Sequence, residues 1–207
     1  MMENLTAGRL LRANTRACVV GCHIRQSPSD FGSMIFIPNQ DGKTFGLVYD
    51  IHVDDDGLVR QLASTENVSE EVIQDNRLNR NTPIEMSILF IGYEANQMIF
   101  HSLPPHPPLS LDKVVLCSEN EIRRFTSFGH FGYFRSILNN PELPAADLTA
   151  AHLNLAYQAQ PLKDRERWKN AAVEMIITLL RDNPNMLNQV LFAVSDIFSP
   201  QSNAQEA

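Results

Sequence analysis

The hydrophobic pattern of this chain changes character near residue 140, and one type of secondary structure cannot accommodate both sides of the change. From Thr15 to about Leu103 short apolar runs rich in β-branched and aromatic residues alternate with turn signals. Beyond Asn139-Asn140-Pro141 and Pro144 the apolar residues recur at helical spacing instead. The fold class expected is therefore mainly β with a helical C-terminal part: a small closed β-barrel of about six strands followed by about three α-helices.

The β-type runs are Ala17–Ile24, Ser33–Ile37, Thr44–Val53, Ile84–Tyr93, Met98–Leu103 and Val114–Cys117. Pro38 stops or edges the second run because it has no N–H for the ladder. Asn39-Gln40-Asp41-Gly42 then supplies the positive φ of a hairpin turn. Gly46, inside a long run, predicts a bulge or bend. Asp54-Asp55-Asp56-Gly57 closes that run, and Ser69–Asn76 reads as a brief helix capped by Ser69. Pro104-Pro105-His106-Pro107-Pro108 must be extended and reads as a stiff crossover. Ser118 and Glu121 have capping-box spacing and open a helix.

In the helical part, Leu148, Ala151, Leu155 and Ala159 form one stripe, and Trp168, Ala172, Met175, Ile176, Leu179 and Leu180 a second. Asp182-Asn183-Pro184 stops that helix and starts another, with Leu187, Val190, Leu191, Val194 and Ile197 on one face. The expected organisation is a basic N-terminal tail over 1–14, a barrel domain over 15–140, a helical domain over 141–200 and a disordered tail over 201–207.

Charge narrows the partners. Arg9, Arg12, Arg16 and Arg25 face a single acid, Glu3, at the N-terminus, yet the whole chain carries −7. That balance disfavours a bulk electrostatic hold on nucleic acid, so direct nucleic-acid binding is not expected. Cys18, Cys22 and Cys117 cannot all be paired and show no CxxC spacing, so a reducing, cytoplasmic setting with free thiols is expected. No window approaches the ~18 consecutive apolar residues of a membrane span, so no membrane partner is expected. In that setting Asn4-Leu5-Thr6 and Asn67-Val68-Ser69 would not meet a glycosylation apparatus.

No catalytic apparatus is legible. Gly42-Lys43-Thr44 imitates the end of a phosphate loop, but the first glycine of that motif would fall on Ile37 and the lysine opens a strand. The three consecutive aspartates project in alternating directions and meet a turn glycine, which suits a solvated loop better than a hard cation. His101, His106 and His130 lack zinc spacing with a partner acid, and GxSxG is absent. No cofactor, metal or catalytic residue is assigned. The candidates for an interaction are the aromatic and basic residues between barrel and helices: Arg123, Arg124, Phe128, Phe131, Tyr133, Phe134 and Arg135, beside Phe125. Arginines among aromatics could stack bases, but they could equally plug the barrel against the helices.

Val20-Gly21-Cys22-His23, Phe36-Ile37-Pro38 and Thr44-Phe45-Gly46-Leu47-Val48-Tyr49-Asp50-Ile51 together resemble the HAS barrel. That barrel heads HerA-type DNA-translocating ATPases and the head subunits of rotary ATP synthases. The proline run, the strand after it and Glu119-Asn120-Glu121-Ile122 are similar to the far side of the barrel in HerA-like proteins, so the resemblance covers roughly residues 15–138. No Walker A loop follows, so the resemblance implies assembly without ATP hydrolysis. It implies a stand-alone adaptor whose protein partner is a HerA-like ATPase or a NurA-like nuclease in DNA processing, or a homo-oligomer. The amphipathic helical part would offer an apolar stripe to such a partner. A nucleic-acid-binding barrel and a hydrolase assembled from distant loops are the rival readings.

Overall fold

Ser87-Ile88-Leu89-Phe90-Ile91 is apolar after its first residue without alternation, which a strand tolerates only when both of its faces are covered. The computed structural model, which describes residues 5–22, 29–40, 42–53, 61–62, 64–66, 68–79 and 84–198, shows both coverings. Ile88 and Phe90 belong to a cluster with Leu10, Val20, Ile35, Ile37 and Val114 inside a barrel. Leu89 and Ile91 belong to a second cluster, which joins Met34, Phe36 and Val115 to the helices outside it.

The strands are β1 (Thr6–Ala13), β2 (Ala17–Cys22), β3 (Met34–Pro38), β4 (Gly42–Val53), β5 (Ile84–Ala95), β6 (Met98–Phe100) and β7 (Lys113–Leu116). They pair antiparallel in the order β2-β1-β7-β3-β4-β5, and β2 pairs again with β5 to close a six-stranded ring. β6 adds a seventh strand to the far half of β5, outside the closure. Six strands were expected, but the set differs by one: β1 is in the ring and β6 is not. Residues 6–13 are thus no solvated tail. Ala7 and Leu10 are buried while Arg9, Leu11 and Arg12 face out, and β1 bridges β2 to β7. The arginines that suggested a tail are the outward residues of a strand.

The hairpin between β3 and β4 forms as expected. Gly46 marks a register slip: Phe45 pairs with Gly92 but Gly46 with Phe90, leaving Ile91 as the extra residue on β5. A methyl group on Gly46 would lie 2.4 Å from the Ile88 side chain, so the strands approach there only because none is present. The Asp54–Gly57 turn and residues 201–207 lie outside the described residues.

Helix α1 (Glu70–Asn79) follows Ser69, whose carbonyl accepts from the Val72 and Ile73 N–H groups. α2 (Glu119–Thr126) has the full capping box: Ser118 Oγ accepts from the Glu121 N–H, and the Glu121 carboxylate accepts from the Ser118 N–H at 2.9 Å. A 3₁₀ turn (Gly129–Phe131) and α3 (Phe134–Leu138) lead to α4 (Ala145–Ala159), α5 (Arg165–Leu180) and α6 (Pro184–Phe198). The stripe on α5 is as expected, with Trp168, Ala172, Ile176 and Leu180 buried.

The α4 stripe is displaced. Ala145, Leu148, His152, Leu153 and Ala156 are buried, while Ala151 and Leu155 are only half-buried. α4 touches α2, α3, α5 and α6, so its buried face is wide and includes polar positions that a hydrophobic pattern does not register. The expected offer of an apolar stripe to a partner is also corrected. Val190 and Val194 of α6 pack in the same core as the α4 and α5 stripes, so the stripe is spent inside the molecule.

His152 is fully buried, with Nε2 3.2 Å from the Tyr133 hydroxyl. Burial pushes its pKa down to about 4, and the nearby Gly32 carbonyl opposes this only in part. The folded state therefore holds His152 neutral, whereas the unfolded chain protonates it below pH ~6.5. Stability is complete above that pH and declines as pH falls toward about 4. The loss from this residue should be on the order of 3 kcal/mol. His152→Gln should flatten the decline, measured by urea unfolding at pH 7.5, 6, 5 and 4.

Candidate functional site

Structure divides the interaction candidates into packed and exposed groups. Tyr133 and Phe134 are 0% exposed, as is Phe125 beside them. Phe131 stacks on Phe134, with centroids 5.9 Å apart, and meets the Trp168 ring edge-on. Tyr133 and Phe134 thus plug the barrel against the helices and present nothing to a partner. Phe128 alone among these aromatics is half exposed.

The arginines hold the fold from different sides. Arg123 donates from Nε and Nη2 to the Ala159 carbonyl, at 3.0 and 2.8 Å, and so caps the C-terminus of α4. Arg124 forms a two-pronged pair with the buried Glu94 carboxylate, at 2.9 and 3.1 Å, and also donates to the Gln97 carbonyl. Arg135 donates to the Gly132 carbonyl. Arg9 donates to the Leu111 carbonyl, and Arg12 pairs with Glu85. Each of these arginines is thus engaged by a partner of its own.

A cleft lies at the rim of the barrel, where the proline crossover returns. Pro38, Tyr93, Pro105, Pro107 and Leu109 line its volume of about 600 Å³. Beyond it, Leu109 and Leu111 are 73% and 70% exposed, and Leu11 beside them is 37% exposed. The loop that carries them is held by backbone bonds rather than by burial. Leu111 N donates to Leu10 O at 2.7 Å, Leu10 N to Asp112 O at 3.0 Å, and Asp112 N to Leu109 O at 3.1 Å. The Asp112 carboxylate accepts from the Leu109 N–H, and Ser110 Oγ donates to Leu11 O. Leu111 sits at φ 73, in the left-handed region that costs a non-glycine residue roughly 1–2 kcal/mol. The crossover expected from the sequence ends at Pro108, just before this loop. The signal present was Leu109-Ser110-Leu111-Asp112 directly after prolines, two leucines where a strand had not yet begun.

Nucleophilic chemistry finds little support in the thiols. Burial pushes Cys18 up to about 12, raises Cys22 and holds Cys117 well above the ordinary range. Lys43 opens β4 and pairs with Glu121, so it does not crown a phosphate loop. Burial also lowers the pKa of His101, opposed by the Phe125 and Gly129 carbonyls. Among the described residues no group of three His, Cys, Asp or Glu side chains converges to hold a metal ion. Among the described residues no helix is long and apolar enough to cross a membrane. No protein-family model matches the chain, and comparison with curated proteins finds no match.

Alkylation with iodoacetamide at pH 8 should be slow for all three thiols in the folded protein. Cys18 should lag free cysteine by about two orders of magnitude or more, because so little thiolate is present. Denaturant should bring all three to the ordinary rate, read by mass spectrometry of timed samples.

Proposed function

We propose that this protein is a non-catalytic adaptor or assembly subunit whose barrel rim docks a protein partner. One observation carries the reading: the Leu109–Asp112 loop is fixed by its own backbone bonds, at the cost of a left-handed leucine, and that rigidity displays two apolar side chains to solvent. A loop serving only to connect strands gains nothing from this geometry. A docking tip gains preorganisation, since its ordering entropy is already spent before the partner arrives. The adjoining proline-lined cleft adds an apolar concavity with little conformational freedom to lose.

Assignment to the HAS type rests on the resemblance over residues 15–138 and is supported by the closed six-stranded ring, five of whose strands lie in that span. With it comes the partner class: a HerA-like ATPase or a NurA-like nuclease, in cytoplasmic DNA processing. The protonated thiols favour an adaptor over an enzyme with a cysteine nucleophile. The scattered anchoring of Arg9, Arg12, Arg123 and Arg124 favours it over a nucleic-acid-binding barrel, which needs a continuous basic track.

The test is a binding titration against a purified HerA-like ATPase and a purified NurA-like nuclease from the same source. The intact protein is compared with the double variant Leu109→Ser, Leu111→Asn. Asn tolerates the left-handed backbone, so the variant should unfold within about 1 kcal/mol of the parent. The parent should bind one of the two, and the variant at least about tenfold more weakly, as for loss of anchoring side chains. Binding to neither protein overturns the assigned partner class, and equal binding by parent and variant overturns the rim as the docking surface.

A further inference from the structure

Where β5 parts from β2 and turns toward β6, the barrel meets α3 in a second cleft, of about 380 Å³. Its polar lining consists of Arg16, Arg135, Ser102, Ser136, Asn139 and Asn140, with His101 at its inner side. Leu103, 48% exposed, supplies the apolar wall beside Leu89. Both formally charged residues of this lining are cations, although the chain as a whole carries −7. Neither guanidinium has a carboxylate partner among the described residues. Arg16 is anchored only through its backbone, whose N–H donates to Asn14 Oδ1 and whose carbonyl accepts from the Phe90 N–H at 2.9 Å. Arg135 spends its Nε on the Gly132 carbonyl.

The geometry points to this cleft as a binding site for a small phosphate monoester, its phosphate held by Arg16 and Arg135 and its organic group against Leu103. Arg16 and Arg135 line one concavity whose lining holds no acid, and a dianion complements both charges. The lining also holds two hydroxyls and two amides, more donors than the two oxygens of a carboxylate can use. A lone anionic group fits better than a polyanion, because Arg9, Arg12, Arg123 and Arg124 are each engaged at other contacts. The volume suits a small molecule. The inference does not rest on the rim docking reading, which uses the Leu109–Asp112 loop and none of these residues.

Calorimetric titration of the intact protein with phenyl phosphate, inorganic phosphate, benzoate and a single-stranded oligonucleotide tests it. Phenyl phosphate should bind tightest, with inorganic phosphate weaker for want of the apolar wall and benzoate weaker still. Arg16→Gln and Arg135→Gln should each weaken phenyl phosphate about tenfold, as expected for loss of a charge-assisted contact. Arg12→Gln, which changes an arginine outside the cleft, should leave binding unchanged. Both cleft arginines are exposed, and thermal unfolding of each variant verifies that it is folded. Absence of phenyl phosphate binding overturns the site, as does an equal loss in Arg12→Gln. Benzoate binding as tightly as phenyl phosphate overturns the phosphate assignment. Oligonucleotide binding that is tighter, steeply salt-dependent and lost in the same variants replaces the small ligand with nucleic acid.

Discussion

Barrel and helices are one structure because Tyr133 is buried where they meet. Its ring lies 5.5 Å from Phe125 and 4.5 Å from Phe134, and Phe125 in turn lies 4.8 Å from Phe45 on β4. Each such ring buries apolar area worth roughly 2–3 kcal/mol, and each well-placed aromatic pair adds about 1 kcal/mol. A buried phenol also brings a hydroxyl that must be satisfied. His152, reaching in from α4, supplies the partner at 3.2 Å, and burial keeps that imidazole neutral. Against the same stretch of α4 stands Gly32, at φ 84, where a methyl group would lie 2.7 Å from the Ala151 Cβ. The polar atom inside the core therefore dictates a histidine on the helix, and the closeness of helix and loop dictates a glycine before β3.

This arrangement explains what the sequence made legible. Local rules identified features that depend on neighbours along the chain: the Ser118–Glu121 capping box, the β3–β4 hairpin, the slip at Gly46 and the Trp168–Leu180 stripe. They failed where a long-range partner decides. β1 alternates like a strand, but its arginines dominated the charge count, and only pairing with β2 and β7 reveals the inward set Ala7 and Leu10. On α4 the pattern of apolar residues could not indicate that His152 and Thr149 point inward, because their burial depends on what lies across the core.

The candidate site was legible in part. Arginines and aromatics between barrel and helices did mark an important region, but its importance is mostly internal. Arg123 caps α4 and Arg124 neutralises buried Glu94, so the charges that suggested a partner are answered within the chain. The rim was not legible, since nothing in Leu109-Ser110-Leu111-Asp112 announces a left-handed leucine. That conformation follows from bonds to residues about a hundred positions away in the sequence, on β1.

β1 consequently does two jobs that a tail could not. It supplies a wall of the ring, and its far end supplies the Leu10 and Leu11 backbone groups and the Arg9 guanidinium that hold the rim loop. The helices cover much of the outer face of β3, β5 and β7, so an additional protein has little apolar surface to meet there. The rim, held from β1, and the seam where β5 leaves β2 with Arg16 at its edge both stay open. Arg9 and Arg12 are tied to the Leu111 carbonyl and to Glu85, whereas Arg16 lines a cleft and has no carboxylate partner among the described residues. Among the described residues the basic N-terminal stretch therefore separates into two arginines that serve the fold and a third, Arg16, whose guanidinium has no carboxylate partner there.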